Sequence, residues 1–62
     1  MKLNKLLNYI SGEFVVYSLL TKTTYETNQA TIRMLFPKLL NRKVVKIEPY
    51  YLDNSKLYIV IE

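Results

Sequence analysis

The chain has 62 residues, half of them hydrophobic, and a net charge of +4. It contains no cysteine and no histidine, which excludes disulfide staples and the sulfur- or imidazole-ligated zinc sites that hold many small domains together. A chain of this size buries only about 60% of the surface its unfolded form exposes, so one domain over 1–62 is expected, relying on apolar density and self-association.

No signal peptide is expected, because Asn4 and Asn8 interrupt the apolar residues that follow Lys2 and Lys5. No apolar run approaches the ~20 residues of a membrane span. The expectation is a soluble, cytoplasmic protein that does not engage a membrane. The positive charge gives only a weak general attraction to polyanions.

In chain order, Leu3, Leu6, Leu7 and Ile10 recur at helical spacing, with Lys2, Lys5 and Asn8 off the stripe. This predicts a short helix from Lys2 or Leu3 to Ile10. Gly12, the single glycine, stands where a helix C-terminus needs positive φ. Two turns are marginal alone, so this helix must dock. Glu13 to Leu20 (EFVVYSLL) is rich in β-branched and aromatic residues and predicts a strand. Phe14, Val16 and Ser18 fall on one face, and Val15, Tyr17 and Leu19 on the other. Thr21-Lys22-Thr23 reads as a turn, followed by an antiparallel strand over Tyr25 to Asn28.

The segment from Ala30 to Asn41 fits two periods. Ile32, Leu35, Phe36, Leu39 and Leu40 suit a helix, whereas Ile32, Met34 and Phe36 suit a strand. Pro37 removes a hydrogen bond inside a helix but is well placed at a helix start. The preferred reading is extended chain through Met34 and a short helix over Pro37–Asn41, with residues 30–36 open between strand and helix.

Val44 to Leu52 predicts a third strand, with Val45, Ile47 and Tyr51 on one face. Val44, Lys46, Glu48 and Tyr50 take the other. Pro49 cannot donate to a ladder and marks an edge or a bulge. Asp53-Asn54-Ser55 is a turn signal. Lys56 to Glu62 (KLYIVIE) predicts a fourth strand with Leu57, Ile59 and Ile61 inward and Tyr58 and Val60 outward. The pieces add up to an α+β fold. A helix, two strands, a short helix and a C-terminal hairpin make a four-stranded, mainly antiparallel sheet, with curl towards a small barrel allowed. The expected core is Leu3, Leu6, Leu7, Ile10, Phe14, Val16, Ile32, Phe36, Leu39, Leu40, Val45, Ile47, Leu57, Ile59 and Ile61.

The chemistry is thin. Without histidine or cysteine the common general bases and nucleophilic dyads are missing. There is no glycine-rich phosphate loop, and the acids form no pair at catalytic or metal spacing. No enzyme activity, metal or cofactor is expected. Two leads remain. Between Thr27 and Ile47 lie Arg33, Lys38, Arg42, Lys43 and Lys46 with no acid, a set that could neutralise phosphates and bind nucleic acid. The bland reading of the same charges is a solvated face.

The second lead is the tyrosines, six in all. Tyrosine suits interfaces because an apolar ring carries a polar tip, and it also simply suits strands. Tyr50 and Tyr58, with Lys46 beside them, are the candidate protein-binding residues. A sheet face bearing Tyr50, Tyr58, Val60 and Val44 needs cover from the N-terminal helix, from barrel curvature or from a partner, with the first two preferred. The hydrophobic last strand reads as an edge open to pairing, which suggests a homodimer.

The successive segments LNKLLNYISG, FVVY, FPKLLNRKVVKIEPY and KLYIVIE resemble small uncharacterised proteins encoded by phages and prophages of Gram-positive bacteria. The stretch between Tyr25 and Pro37 is longer than in those proteins. The resemblance implies a setting and a topology, with no activity and no site. It points to an accessory protein that acts by occupying the surface of a partner protein. Beside it stand a sequence-tolerant nucleic-acid binder using residues 33–46 and a structural subunit of a larger assembly.

Overall fold

A computed structural model describes residues 1–62. Helix α1 spans Leu3–Leu6 and continues as a 3-10 turn over Leu7–Tyr9. Strands β1 (Glu13–Ser18) and β2 (Thr23–Asn28) follow. Helix α2 (Gln29–Leu35) leads into a second 3-10 turn over Pro37–Asn41, which we call the Pro37 turn. Strands β3 (Val44–Tyr50) and β4 (Asp53–Ile61) close the chain. The sheet order is β2-β1-β4-β3. The β1–β2 and β3–β4 pairs are antiparallel and β1–β4 is parallel. The fold is therefore α+β with a mainly antiparallel sheet. No helix is long and apolar enough to cross a membrane.

This order makes β2 and β3 the edges, with the α2–Pro37 segment as the connection from one edge to the other. The connection lies on the same side of the sheet as α1. Leu3, Leu6 and Leu7 from the first helix, Ile32 from α2 and Leu39 from the Pro37 turn pack on Phe14, Val16, Ile59 and Ile61. Ile10, Phe36, Leu40 and Leu57 pack around them, together with Tyr25 and Val44. The chain start is pinned to the sheet as well. Lys2 forms an antiparallel bridge with Lys43, Leu3 N–H donates to Arg42 at 2.9 Å, and Val44 N–H donates to Met1 at 2.7 Å. Gln29 Nε2 donates to the Leu7 carbonyl, tying α2 to the end of the first helix.

Several expectations are corrected. Residues 30–35 are helical rather than extended. Asn28 sits at the end of β2, and its side chain accepts a hydrogen bond from Thr31 N–H at 2.8 Å. That cap supplies one of the acceptors a helix start lacks. Pro37 excludes helix only from the residue before it. Accordingly Phe36 leaves the helix at φ −131°, ψ 52°, and Pro37 opens the next turn at its first position as expected. The expected helix cap at Gly12 is displaced. The first helix ends at Tyr9 with Ile10 extended, while Gly12 takes φ +75° in the turn into β1.

The hairpin turn lies at Tyr51–Leu52, not at Asp53–Ser55. Asp53 Oδ1 instead accepts from Ser55 N–H and Ser55 Oγ within the start of β4. Thr23, expected in the first turn, belongs to β2, and β1 stops at Ser18 before Leu19 and Leu20. The last strand is not an edge, since β4 lies between β1 and β3. That removes the edge argument for a dimer through this strand. The sheet stays open and does not curl into a barrel.

The expected core places Val45 and Ile47 inside, yet they are 55% and 42% exposed. The cause at Val45 is a register shift. Val44 pairs with Ile61 and Lys46 with Val60, so Val45 is an extra residue bulged out of the ladder. Val44 takes the inward place instead. Ile47 pairs with Ile59 on the helix side but stands on the outermost strand, where the helices do not reach it.

The cap makes a checkable point. Asn28→Ala should cost about 1 kcal/mol. In a domain of this size that lowers the melting temperature by about 4–8 °C, readable by thermal circular dichroism. An unchanged melting temperature would show that α2 does not depend on this cap.

Candidate functional site

Both helices use one side of the sheet, so the other side has no helical cover. The cover expected from the N-terminal helix goes to the opposite face. Strand register builds the open side in two rows. Glu26, Val15, Tyr58 and Glu48 form one row across β2, β1, β4 and β3. Thr24, Tyr17, Val60 and Lys46 form the next. Despite the absence of a helix, Val15 is fully buried and Val60 nearly so. Apolar centres on an open face must be roofed by neighbouring side chains, and tyrosines supply the rings here.

Tyr58 stacks between two others. Its ring centroid lies 5.6 Å from Tyr50 at an interplanar angle of 11°, and 6.4 Å from Tyr17 at 24°. Tyr51 meets Tyr50 edge-on at 5.2 Å. These are the offset and T-shaped separations that aromatic pairs favour. The four rings make a band from the centre of the sheet to the hairpin turn. Tyr50, expected to be covered by the helix or by curvature, is instead buried within this band, and Val60, expected outward, is buried on the same side. Tyr17 and Tyr58 are half-buried and Tyr51 is 79% exposed. Lys46 and Glu48 pair at 3.3 Å at the margin of the band. Both are largely exposed, so the pair adds little stability.

The band alters its own chemistry. Burial raises the pKa of the Tyr50 hydroxyl above its ordinary value, helped by the charge of Glu26 and by Tyr51 and Tyr58. Burial likewise raises Tyr58, reinforced by Tyr17, Tyr51 and Glu48 and opposed by Lys46. Both hydroxyls thus stay protonated, and remain hydrogen-bond donors, to higher pH than a free tyrosine. A folded-state pKa raised above the unfolded value of about 10 gives a stabilisation that is complete below that pH. It is lost as pH rises through the raised values. Ultraviolet titration should show Tyr50 and Tyr58 ionising above the ordinary tyrosine value, and melting temperature should fall over the same alkaline range. Ionisation of Tyr50 and Tyr58 at the ordinary value would contradict this packing.

The five cations of the basic stretch do not form one surface. Arg33 Nη1 donates to Asn4 Oδ1 at 2.9 Å, beside the first helix. Lys38 and Arg42 line a cavity on the helix side, together with Pro37 and Leu39. Arg42 Nη1 also donates to the Glu62 carbonyl at 3.3 Å. Lys43 lies at the chain-start bridge with Lys2, in a second, polar cavity that Arg42 also lines. Lys46 is on the tyrosine side. Tyr50, Tyr58 and Lys46 do share one face, as expected.

The sequence reading missed Tyr17 and Tyr51 in the band. Tyr17 has the outward parity of Val15, which was legible. Its meeting with Tyr58 depends on the parallel β1–β4 pairing, which no local signal announces. No family model, curated protein or solved structure matches this chain.

Proposed function

We propose that this is a small non-enzymatic binding protein, acting in the cytoplasm, whose tyrosine face docks on a partner protein. The observation that carries the reading is the band of four stacked rings on the side of the sheet that no helix covers. An aromatic centre with a charged margin of Lys46, Glu48 and Glu26 has the anatomy of a protein interface, apolar inside and polar at the rim. Tyrosine contributes large area at low conformational cost and suits the anchoring role. The resemblance to phage and prophage proteins supplies the setting, an accessory protein that occupies a host protein's surface.

The test is capture of partners on immobilised protein at low and high salt. A complex that survives high salt and is lost with Tyr58→Ala supports the reading. Because Tyr58 also pairs with the buried Val15 across the β1–β4 ladder, the exposed Tyr51→Ala is the companion variant, expected to weaken the complex with the fold intact. A complex indifferent to both changes would defeat the proposal.

A second reading, contact with a nucleic-acid backbone, has one observation in its favour. Lys2, Arg42 and Lys43 line a common cavity at the chain-start bridge, with Glu62 beside them. It requires an affinity whose logarithm falls with log salt, by about 0.7–0.9 per phosphate neutralised. Charge reversal at Arg42 and Lys43 should abolish it.

A further inference from the structure

On the helix side, away from the tyrosine band, a cavity of about 570 Å³ opens between α2, the Pro37 turn and β2. Tyr25 and Phe36 share in its lining, with ring centroids 4.8 Å apart. Met34 and Leu35 stand at its margin and are 77% and 60% exposed. Their exposure follows from the short helix. Ile32 and Phe36, four apart, take the inward direction, and Met34 and Leu35, two of the three residues between them, point elsewhere. Thr21 also lines the cavity, and Leu20 next to it is 69% exposed. The site therefore combines two aromatic rings, exposed apolar side chains and the cations of Lys38 and Arg42. No acidic residue lines it.

We infer that this groove is a docking site for an acidic, apolar peptide segment of a partner protein. The argument is complementarity of two kinds in one place. Exposed methionine and leucine form an adaptable apolar surface of the sort used to seat amphipathic segments. Lys38, which has no side-chain partner, and Arg42, whose Nη1 donates to the Glu62 carbonyl but which meets no acid in this lining, select a segment that carries Asp or Glu beside its apolar anchors and reject a basic one. The groove is open rather than enclosed, with Met34 and Leu35 standing largely in solvent. A small ligand would stay mostly wet there, whereas a peptide covers the margin as well as the rings. This site is separate from the tyrosine face, and either could fail without the other.

The test is selection of peptides from a random displayed library against the intact protein, followed by amide chemical-shift mapping with the selected peptides. Enriched sequences should combine Leu, Phe or Met with Asp or Glu. Their shifts should fall on Thr21, Tyr25 and residues 34–42. Lys38→Glu should weaken them about tenfold or more, and Tyr51→Ala should leave them unchanged. Lys38 is exposed and makes no side-chain hydrogen bond or ion pair, so this variant should fold. Met34→Ser, at an exposed site, gives an independent loss of affinity. No enrichment, enrichment indifferent to charge, or shifts confined to the tyrosine face would overturn the inference. Displacement of the peptide by a medium-chain alkyl carboxylate at comparable concentration would also overturn it, assigning the groove to a small amphiphile.

Discussion

Phe14→Ala should leave the domain largely unfolded or barely folded at 25 °C. Phe14 is 2% exposed and belongs to the helix-side core, which gathers residues of both helices and of β4. Removing a buried ring costs about 3–5 kcal/mol. At the usual stability per residue, a 62-residue chain has only about 3–9 kcal/mol in total. With no disulfide and no resident metal expected, little reserve remains. Thermal or urea denaturation followed by circular dichroism should show a fall in melting temperature of about 12–40 °C. Phe14→Leu, which refills most of the space, should lose far less. A Phe14→Ala protein of near-native stability would mean that the helices do not pack on β1 as described.

The second large effect separates two positions that sequence alone ranks the other way. Val15→Lys should unfold the protein, whereas Val45→Lys should be nearly silent. Val15 is fully buried beneath the tyrosine band, on the side of the sheet that alternation assigns to the exterior. A lysine there must either bury its ammonium or shed its proton, and each is costly. It must also push the rings of the band apart. Val45 is bulged out of the β3–β4 ladder and 55% exposed, so a lysine replaces a wet methyl pair with a wet ammonium. Surface changes of this kind stay within about 0.5 kcal/mol. The comparison of the two melting temperatures checks it. Equal losses at both sites would mean that the bulge is absent and that Val45 points inward.

These two valines show where sequence reading succeeds and where it stops. Alternation identified the inward set of β1 and β4, because a strand whose one face meets helices must be apolar at every second residue. It failed at the start of β3, where one extra residue puts Val44 inward and Val45 outside while Lys46, Ile47 and Glu48 keep their expected sides, and no residue type marks Val45 as the extra one. Pro49 announced an irregular edge strand and was correct about that. For residues 30–35 a helix period and a strand period were both present. The cap at Asn28 decided between them, and its meaning depends on where β2 ends. The basic run reads as one feature in sequence, but the strand pleat and the Pro37 turn send its members to different sides. The groove had no signature at all. Met34, Leu35 and Phe36 read simply as apolar, and only the crossover that carries them over the sheet leaves two of the three in solvent.

The sequence by itself determined most of the local elements, residues 30–35 apart, and most of the helix-side core, Val45 and Ile47 apart. Periodicity, β-branched content and the start signal of Pro37 act over a few residues, where local sterics and burial dominate. The tertiary structure decided the sheet order, the parallel neighbour of β1 and the burial of Val15, Val60 and Tyr50. These depend on contacts between residues some forty positions apart, such as Tyr17 and Tyr58, whose pairing is stabilised only once the whole sheet has assembled. Both candidate surfaces, the tyrosine face and the cationic groove, are consequences of that assembly rather than of any motif.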